Sequence, residues 1–169
     1  MWAILVVRRV RIKLVSFFPK WGIVYFFIMT LNYAKKSDAA LSPVRATATS
    51  AGIDLCTPGL ICIEPRSQCI VDTQLVFEIP VGYYGQLALR SSIAKDNVAL
   101  CGGIIDSDYR GSIMIVLQNH DLTPKIYTAG SRIAQLIIIP CMALTPKLCS
   151  LSELSSTARG SGGFGSTGK

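Results

Sequence analysis

From Leu31 onward no stretch keeps apolar residues at a 3.6-residue period for three turns, which removes helical bundles from consideration. What recurs instead is short apolar or alternating runs, Gln74–Ile79, Gln86–Leu89, Ser112–Leu117 and Arg132–Ile139, separated by proline and glycine turns. This punctuation predicts an all-β chain folded as a compact β-barrel or jelly roll. The best helix candidate is the short Ala88–Asp96 region. Ile113–Leu117 and Leu136–Ile139 are apolar on both faces, so one face should meet the chain's own core and the other a partner subunit.

Composition narrows the class. With 169 residues, half of them apolar, 16% charged and a mean hydropathy of +0.44, the chain suits one packed domain and neither a disordered nor a fibrous protein. The net charge of +7 would suggest nucleic acid, but its placement argues against that. Arg8, Arg9, Arg11, Lys13, Lys20, Lys35 and Lys36 lie in residues 1–36 with no acid, and the other ten basic residues are balanced by ten acidic ones. The domain has no basic surplus with which to neutralise a nucleic-acid backbone. Residues 1–28 therefore read as a leader, either upstream sequence before Met29 or a targeting segment. A basic, acid-free leader suits a mitochondrial transit peptide; otherwise the chain is expected to be intracellular, cytoplasmic or nuclear. The charge-free run Trp21–Ala34 is 14 residues long, short of the roughly 20 that span a bilayer, so no stable membrane insertion is expected. Residues 29–158 form the expected β domain and 159–169 a flexible tail.

The six cysteines (Cys56, Cys62, Cys69, Cys101, Cys141 and Cys149) include no C-x-x-C pair, and most of them read as small core residues in a reducing compartment. The single histidine, His120, lies in the polar run Gln118-Asn119-His120-Asp121, which reads as a turn. Any hydrolytic chemistry then needs another base.

The tail has five glycines in its last eleven residues. Gly160 to Gly165 matches G-x-G-x-x-G and Gly163 to Lys169 matches G-x-x-x-x-G-K, yet neither leaves room for the helix such motifs must open. What survives is a glycine-rich backbone that can approach an anion, hydroxyls on Ser161, Ser166 and Thr167, and the Arg159 guanidinium: a mobile lid over a triphosphate. Gly102–Gly111 is the other acidic cluster; strand geometry turns Asp106 and Asp108 to one side unless a turn intervenes, and the flanking glycines suggest a hairpin. Arg90-Ser91-Ser92 could bind phosphate or cap a helix.

Five segments in order, Ala46–Leu55, Pro80–Ser92, Gly103–Gly111, Gly130–Leu136 and Arg159–Gly168, resemble the five motifs of the trimeric deoxyuridine triphosphatases, the dUTPases. The resemblance implies a homotrimer of distorted jelly-roll subunits whose active sites draw on all three chains. It implies hydrolysis of dUTP to dUMP and pyrophosphate with Mg2+, which keeps uracil out of DNA and supplies dUMP for thymidylate synthesis. Carried over by position, Asp106 is the base that activates water, and Gly103, Ile104 and Ile105 read uracil. Tyr109 packs under the deoxyribose, while Arg90, Ser91, Ser92 and Gln135 hold the phosphates. Asp54 reaches the metal through water, Arg132 is structural, Arg159 meets the γ-phosphate and Phe164 stacks on the base, with Gly165, Ser166 and Thr167 around the nucleotide.

Two positions depart from the family pattern: Ser92, where glycine is common, and Cys101, where a smaller residue is common. A dCTP deaminase shares the fold but needs a glutamate as proton shuttle, and Glu64, Glu78 and Glu153 all lie outside the motifs. A non-catalytic binding module is the remaining alternative, against which the intact Asp106 and tail speak.

Overall fold

A computed structural model describes residues 30–163 and the strands 13–17 and 24–28. In chain order the strands are β1 (Lys13–Phe17), β2 (Val24–Ile28), β3 (Asn32–Lys35), β4 (Ile53–Cys56), β5 (Ile61–Ile63), β6 (Gln68–Asp72), β7 (Leu75–Glu78) and β8 (Tyr83–Leu89). A single-turn helix α1 (Ser91–Ala94) follows, then β9 (Val98–Cys101), β10 (Ile104–Ile105), β11 (Met114–Asn119), β12 (Lys125–Tyr127) and β13 (Arg132–Pro140). Every pairing is antiparallel. The ladders run β10-β8-β13-β4, β6-β11-β9, β12-β5, β3-β7 and β1-β2. The fold is a distorted jelly roll, all-β as the periodicity predicts, and its ladders stay separate among the described residues. The leader, set apart by composition, carries the β1-β2 pair.

Alternation builds the core. Leu75, Phe77 and Ile79 point inward while Val76 and Glu78 do not, and Ile113, just before β11, does the same with Ile115 and Leu117 on it. Leu55, Ile63, Ile133 and Leu136 close the same interior from β4, β5 and β13.

Three expectations are corrected. The helix of Ala88–Asp96 shrinks to Ser91–Ala94, because the ladder with β13 claims Ala88 and Leu89, and Asn97 at φ 59° stops the chain beyond it. The polar run at 118–121 is not all turn. Gln118 and Asn119 complete β11 opposite Ala99 and Val98, and Asn119 is fully buried. The cysteines are not core residues: Cys62, Cys141 and Cys149 are exposed, Cys56, Cys69 and Cys101 half-buried, and all six are free thiols.

Asn119 is buried because every polar atom it brings is used. Its Nδ2 donates to the carbonyls of Ile63 and Thr123, both at 2.9 Å, and its Oδ1 accepts from Asp121 N at 2.9 Å, so one side chain ties β11 to β5 and to the loop before β12. Asn119→Ala should therefore lower the unfolding free energy by about 2–3 kcal/mol, read from denaturant melts with an unchanged m-value. A second tie joins β12 to the turn after α1, where Tyr127 Oη donates to Asp96 Oδ2 at 2.9 Å. Burial, aided by that carboxylate, raises the Tyr127 phenol above its ordinary value of 10.0. A raised folded value means that the tie is fully present below pH 10 and lost as pH climbs through the folded value. The stability difference between wild type and Tyr127→Phe should be constant near neutrality and shrink above pH 10, as alkaline thermal melts would show.

Candidate functional site

A β-bulge sets the site's geometry. Along the β13-β4 ladder Leu136 faces Ile53, Gln135 faces Asp54 and Ala134 faces Leu55, but Arg132 rather than Ile133 faces Cys56. One extra residue is thus accommodated, and Arg132, Ile133, Ala134 and Gln135 point out, in, in, out. Ile133 and Ala134 both enter the core. Arg132 is left on the face of Asp54, which lies two residues from Cys56.

Asp54 is the centre of that face. Its side chain is only 8% exposed, and each carboxylate oxygen faces one guanidinium: Oδ1 forms an ion pair with Arg90 Nε at 3.2 Å, and Oδ2 accepts a hydrogen bond from Arg132 Nη1 at 3.2 Å. The acid thus joins β4, the start of β13 and the end of β8. Because Arg90 uses Nε for this, its terminal nitrogens remain to meet an anion. Burial pushes the neighbouring Cys56 thiol up although Arg132 opposes the shift, so it stays protonated and is no nucleophile.

Beside this cluster lies an open pocket of ≈ 210 Å3 lined by Ala46, Ser50, Gly52, Asp54, Arg90, Ser91 and Gln135. Gln135 is held there by its Nε2, which donates to Leu89 O at 3.2 Å. Gly52 packs so closely on it that an added Cβ would come within 2.8 Å of Gln135 Cβ. Ser92 follows Ser91 on the exposed side of α1. Guanidinium, hydroxyl and carboxamide groups facing one small space make a binding place for an oligoanion. Among the described residues no three His, Cys, Asp or Glu side chains gather into a metal site. With both Asp54 oxygens engaged, a divalent cation here would rest mainly on the ligand's own oxygens and water, which is how Mg2+ is commonly bound.

Gly103, Ile104, Ile105, Asp106 and Tyr109 form a second group. The expected hairpin is instead a crossing between sheets: β9 pairs with β11, and β10 pairs with β8. Gly102 at φ 72° and Gly103 at φ 108° turn the chain across, and Gly103 O accepts from Leu87 N at 2.8 Å. Tyr109 N donates to Asp106 O at 3.2 Å, so a turn does separate Asp106 from Asp108, and both carboxylates are exposed. Arg110 Nη1 braces that turn through the carbonyls of Ser107 and Tyr109, both at 2.8 Å.

Arg159 is exposed and closes its own turn, its Nε donating to Gly162 O at 2.9 Å; it does not line the pocket. Phe164, Gly165, Ser166 and Thr167 lie outside the described residues. Arg132, expected as structural, is a direct partner of Asp54. Ser50 and Gly52 were not expected at the site, and the signal that could have found them is a small residue next to the only acid of an apolar strand.

A sequence model of the dUTPase family matches residues 38–168. The deoxyuridine 5'-triphosphate nucleotidohydrolase of Avian adenovirus 8 is 43% identical over 139 residues, which cover 82% of this chain and 84% of that one. Among solved structures, a variant of the Staphylococcus bacteriophage 80alpha dUTPase with dUpNHpp superposes with a TM-score of 0.75 at 28% identity, covering 83% of this chain and 99% of that one. A variant of the dUTPase from phage phi11 of S. aureus, described with the coordination of a structural Mg(II) ion, gives 0.67 at 25% identity, covering 75% and 99%.

The close packing of Gly52 on Gln135 yields a direct test. Gly52→Ala should displace the carboxamide and weaken the binding of inorganic triphosphate by about tenfold, the scale of one lost hydrogen bond to a charged group, as isothermal titration would report.

Proposed function

The chain belongs to the dUTPase family and hydrolyses dUTP to dUMP and pyrophosphate, and we propose that its two groups of residues divide this work. The observation that carries the reading is the Asp54–Arg90–Arg132 cluster opening on a polar pocket. Arg90, Ser91, Ser92 and Gln135 bind the phosphates there, and Asp54 holds the arginines in place. Arg132 anchors Asp54 from the other side. Asp54, through water, together with the substrate's phosphates would hold Mg2+, which when bound would supply charge neutralisation at the phosphorus.

The second group reads the nucleoside. β10 is the edge of its sheet, so its outer backbone N–H and C=O groups are available to the polar edge of a pyrimidine. A base seated against backbone leaves no space for a 5-methyl group. Tyr109, 42% exposed, offers a ring face to the deoxyribose, where a 2′-hydroxyl would collide or lose its hydration. Asp106, exposed on the turn, takes the proton of the water that attacks the α-phosphorus; this bond to phosphorus forms as the bond to the pyrophosphate oxygen breaks.

Three features support a homotrimer with shared sites. The pocket of ≈ 210 Å3 is smaller than the roughly 300–1,000 Å3 of a site that encloses a small-molecule ligand. Asp106 and Tyr109 do not line it. Past Cys141, whose N–H donates to Gly82 O at 2.8 Å, the chain leaves as an arm with Met142, Leu144, Leu148, Leu151 and Leu154 all exposed, an apolar surface that a neighbouring subunit would cover. The arm ends at residues 159–169, the lid over the body of residues 29–158, with Arg159 on the γ-phosphate and Phe164 on the base. Residues 1–28 lie outside the catalytic unit and serve as a targeting or upstream segment.

Pyrophosphate release should be far faster with dUTP than with UTP, dTTP or dCTP. Asp106→Asn should lower kcat by roughly 10²–10⁴ with KM little changed. Weakened binding at unchanged kcat would assign Asp106 to recognition instead.

A further inference from the structure

The ring of Tyr109 is seated from behind by Gly111 and, beyond the motif segments, by Ser112 and Asp72. Its hydroxyl donates to the carbonyl of Ser112 at 3.1 Å, and the ring lies so close over Gly111 that a side chain there would collide with it. Ser112, almost fully buried, gives its own hydroxyl proton to Oδ1 of Asp72, 40 residues away at the end of β6. The same Oδ1 accepts from Gln74 N at 2.8 Å, a bond that holds Gln74 at φ 56°. Between them Thr73 locks the next residue: its N–H and its hydroxyl both donate to Ile113 O, at 3.1 and 2.9 Å, and Ile113 N donates back to Leu75 O at 2.9 Å. The tyrosine's anchor point is thus built on the β6-β7 turn and not on its own loop.

We infer that Asp72 is a positioning residue for sugar selection, fixing the seat of the Tyr109 ring through Ser112. The Ser112 hydroxyl, with the Gln74 amide, keeps the Asp72 carboxyl below its ordinary range, so at neutral pH it is the acceptor-only carboxylate that two converging donors need. A displaced anchor lets the ring move by a fraction of an ångström, enough to admit a 2′-hydroxyl while the phosphate pocket stays intact. The inference rests on the reading of Tyr109 as the residue under the sugar.

The experiment is the ratio of kcat/KM for dUTP to that for UTP, measured on the full chain with the enzyme assembled. Asp72→Ala should lower the ratio about tenfold or more, mainly by raising kcat/KM for UTP. Asp72→Asn, which keeps an oxygen for both donors, should stay within about twofold of wild type. Ser112→Ala, which removes the donor and leaves the Asp72–Gln74 turn bonded, should lower the ratio as Asp72→Ala does, and it serves if the latter fails to fold. Combining the two should add little, since they break one interaction. A merely structural role would lower both rates together and leave the ratio unchanged, which would overturn the inference, as would an Asp72→Asn variant that loses the ratio as fully as Asp72→Ala. A wild-type enzyme that does not prefer dUTP to UTP would instead overturn the reading of Tyr109 itself.

Discussion

One end of the β8-β13-β4 ladder hangs on a carboxylate that has been taken out of water. Asp54 would be an expensive residue to bury alone, since desolvating an unpaired charge costs several kcal/mol. Arg90 and Arg132 offset that by approaching from two different strands, so satisfying the charge also fixes the relative positions of β4, β8 and β13 at one end of their sheet. On the function proposed above, a phosphate chain would meet donors whose orientation is settled before it arrives, which lowers the entropy lost on binding.

The two groups of site residues share β8. Arg90 directly follows its last residue and lines the polar pocket, while its middle residues Gly85 and Gln86 pair with β10. On the proposed function, β8 would therefore be a ruler between nucleoside and phosphate recognition. Along one rigid strand each residue adds about 3.3 Å, so the spacing is not adjustable by loop motion.

How much of this was legible in the sequence varies with the range of the interaction. Leu75, Phe77 and Ile79 alternate openly, and the strands they announce are present. Arg90, Gln135, Asp54 and Asp106 are legible in the five motif segments, because each motif is local. Asn119 was misread, since a polar run between apolar ones has the composition of a turn whether its amide is solvated or enclosed by distant carbonyls. The cysteines were misread for a related reason: their usual burial is a preference, and Cys62 sits on the outer side of a two-stranded sheet. The Asp72–Ser112 bond could not be read at all. Nothing in either residue's neighbourhood points across 40 positions, and only the β6-β11 register, Asp72 opposite Met114, brings them together.

The bulge at Arg132–Ile133 also limits how this segment can change length. Removing Ile133 would restore an unbroken ladder and still leave the arginine opposite Cys56, so the ion cluster would survive the deletion on paper. The interior would not, because a fully enclosed isoleucine would vanish from the core and leave a cavity that its surroundings relax into only in part. Inserting a residue at the same place would spare the interior but reverse the arginine's direction. Variation among relatives at this spot should consequently appear as exchanges of residue type and not as gaps, which makes it a fixed point for aligning the chain against distant sequences.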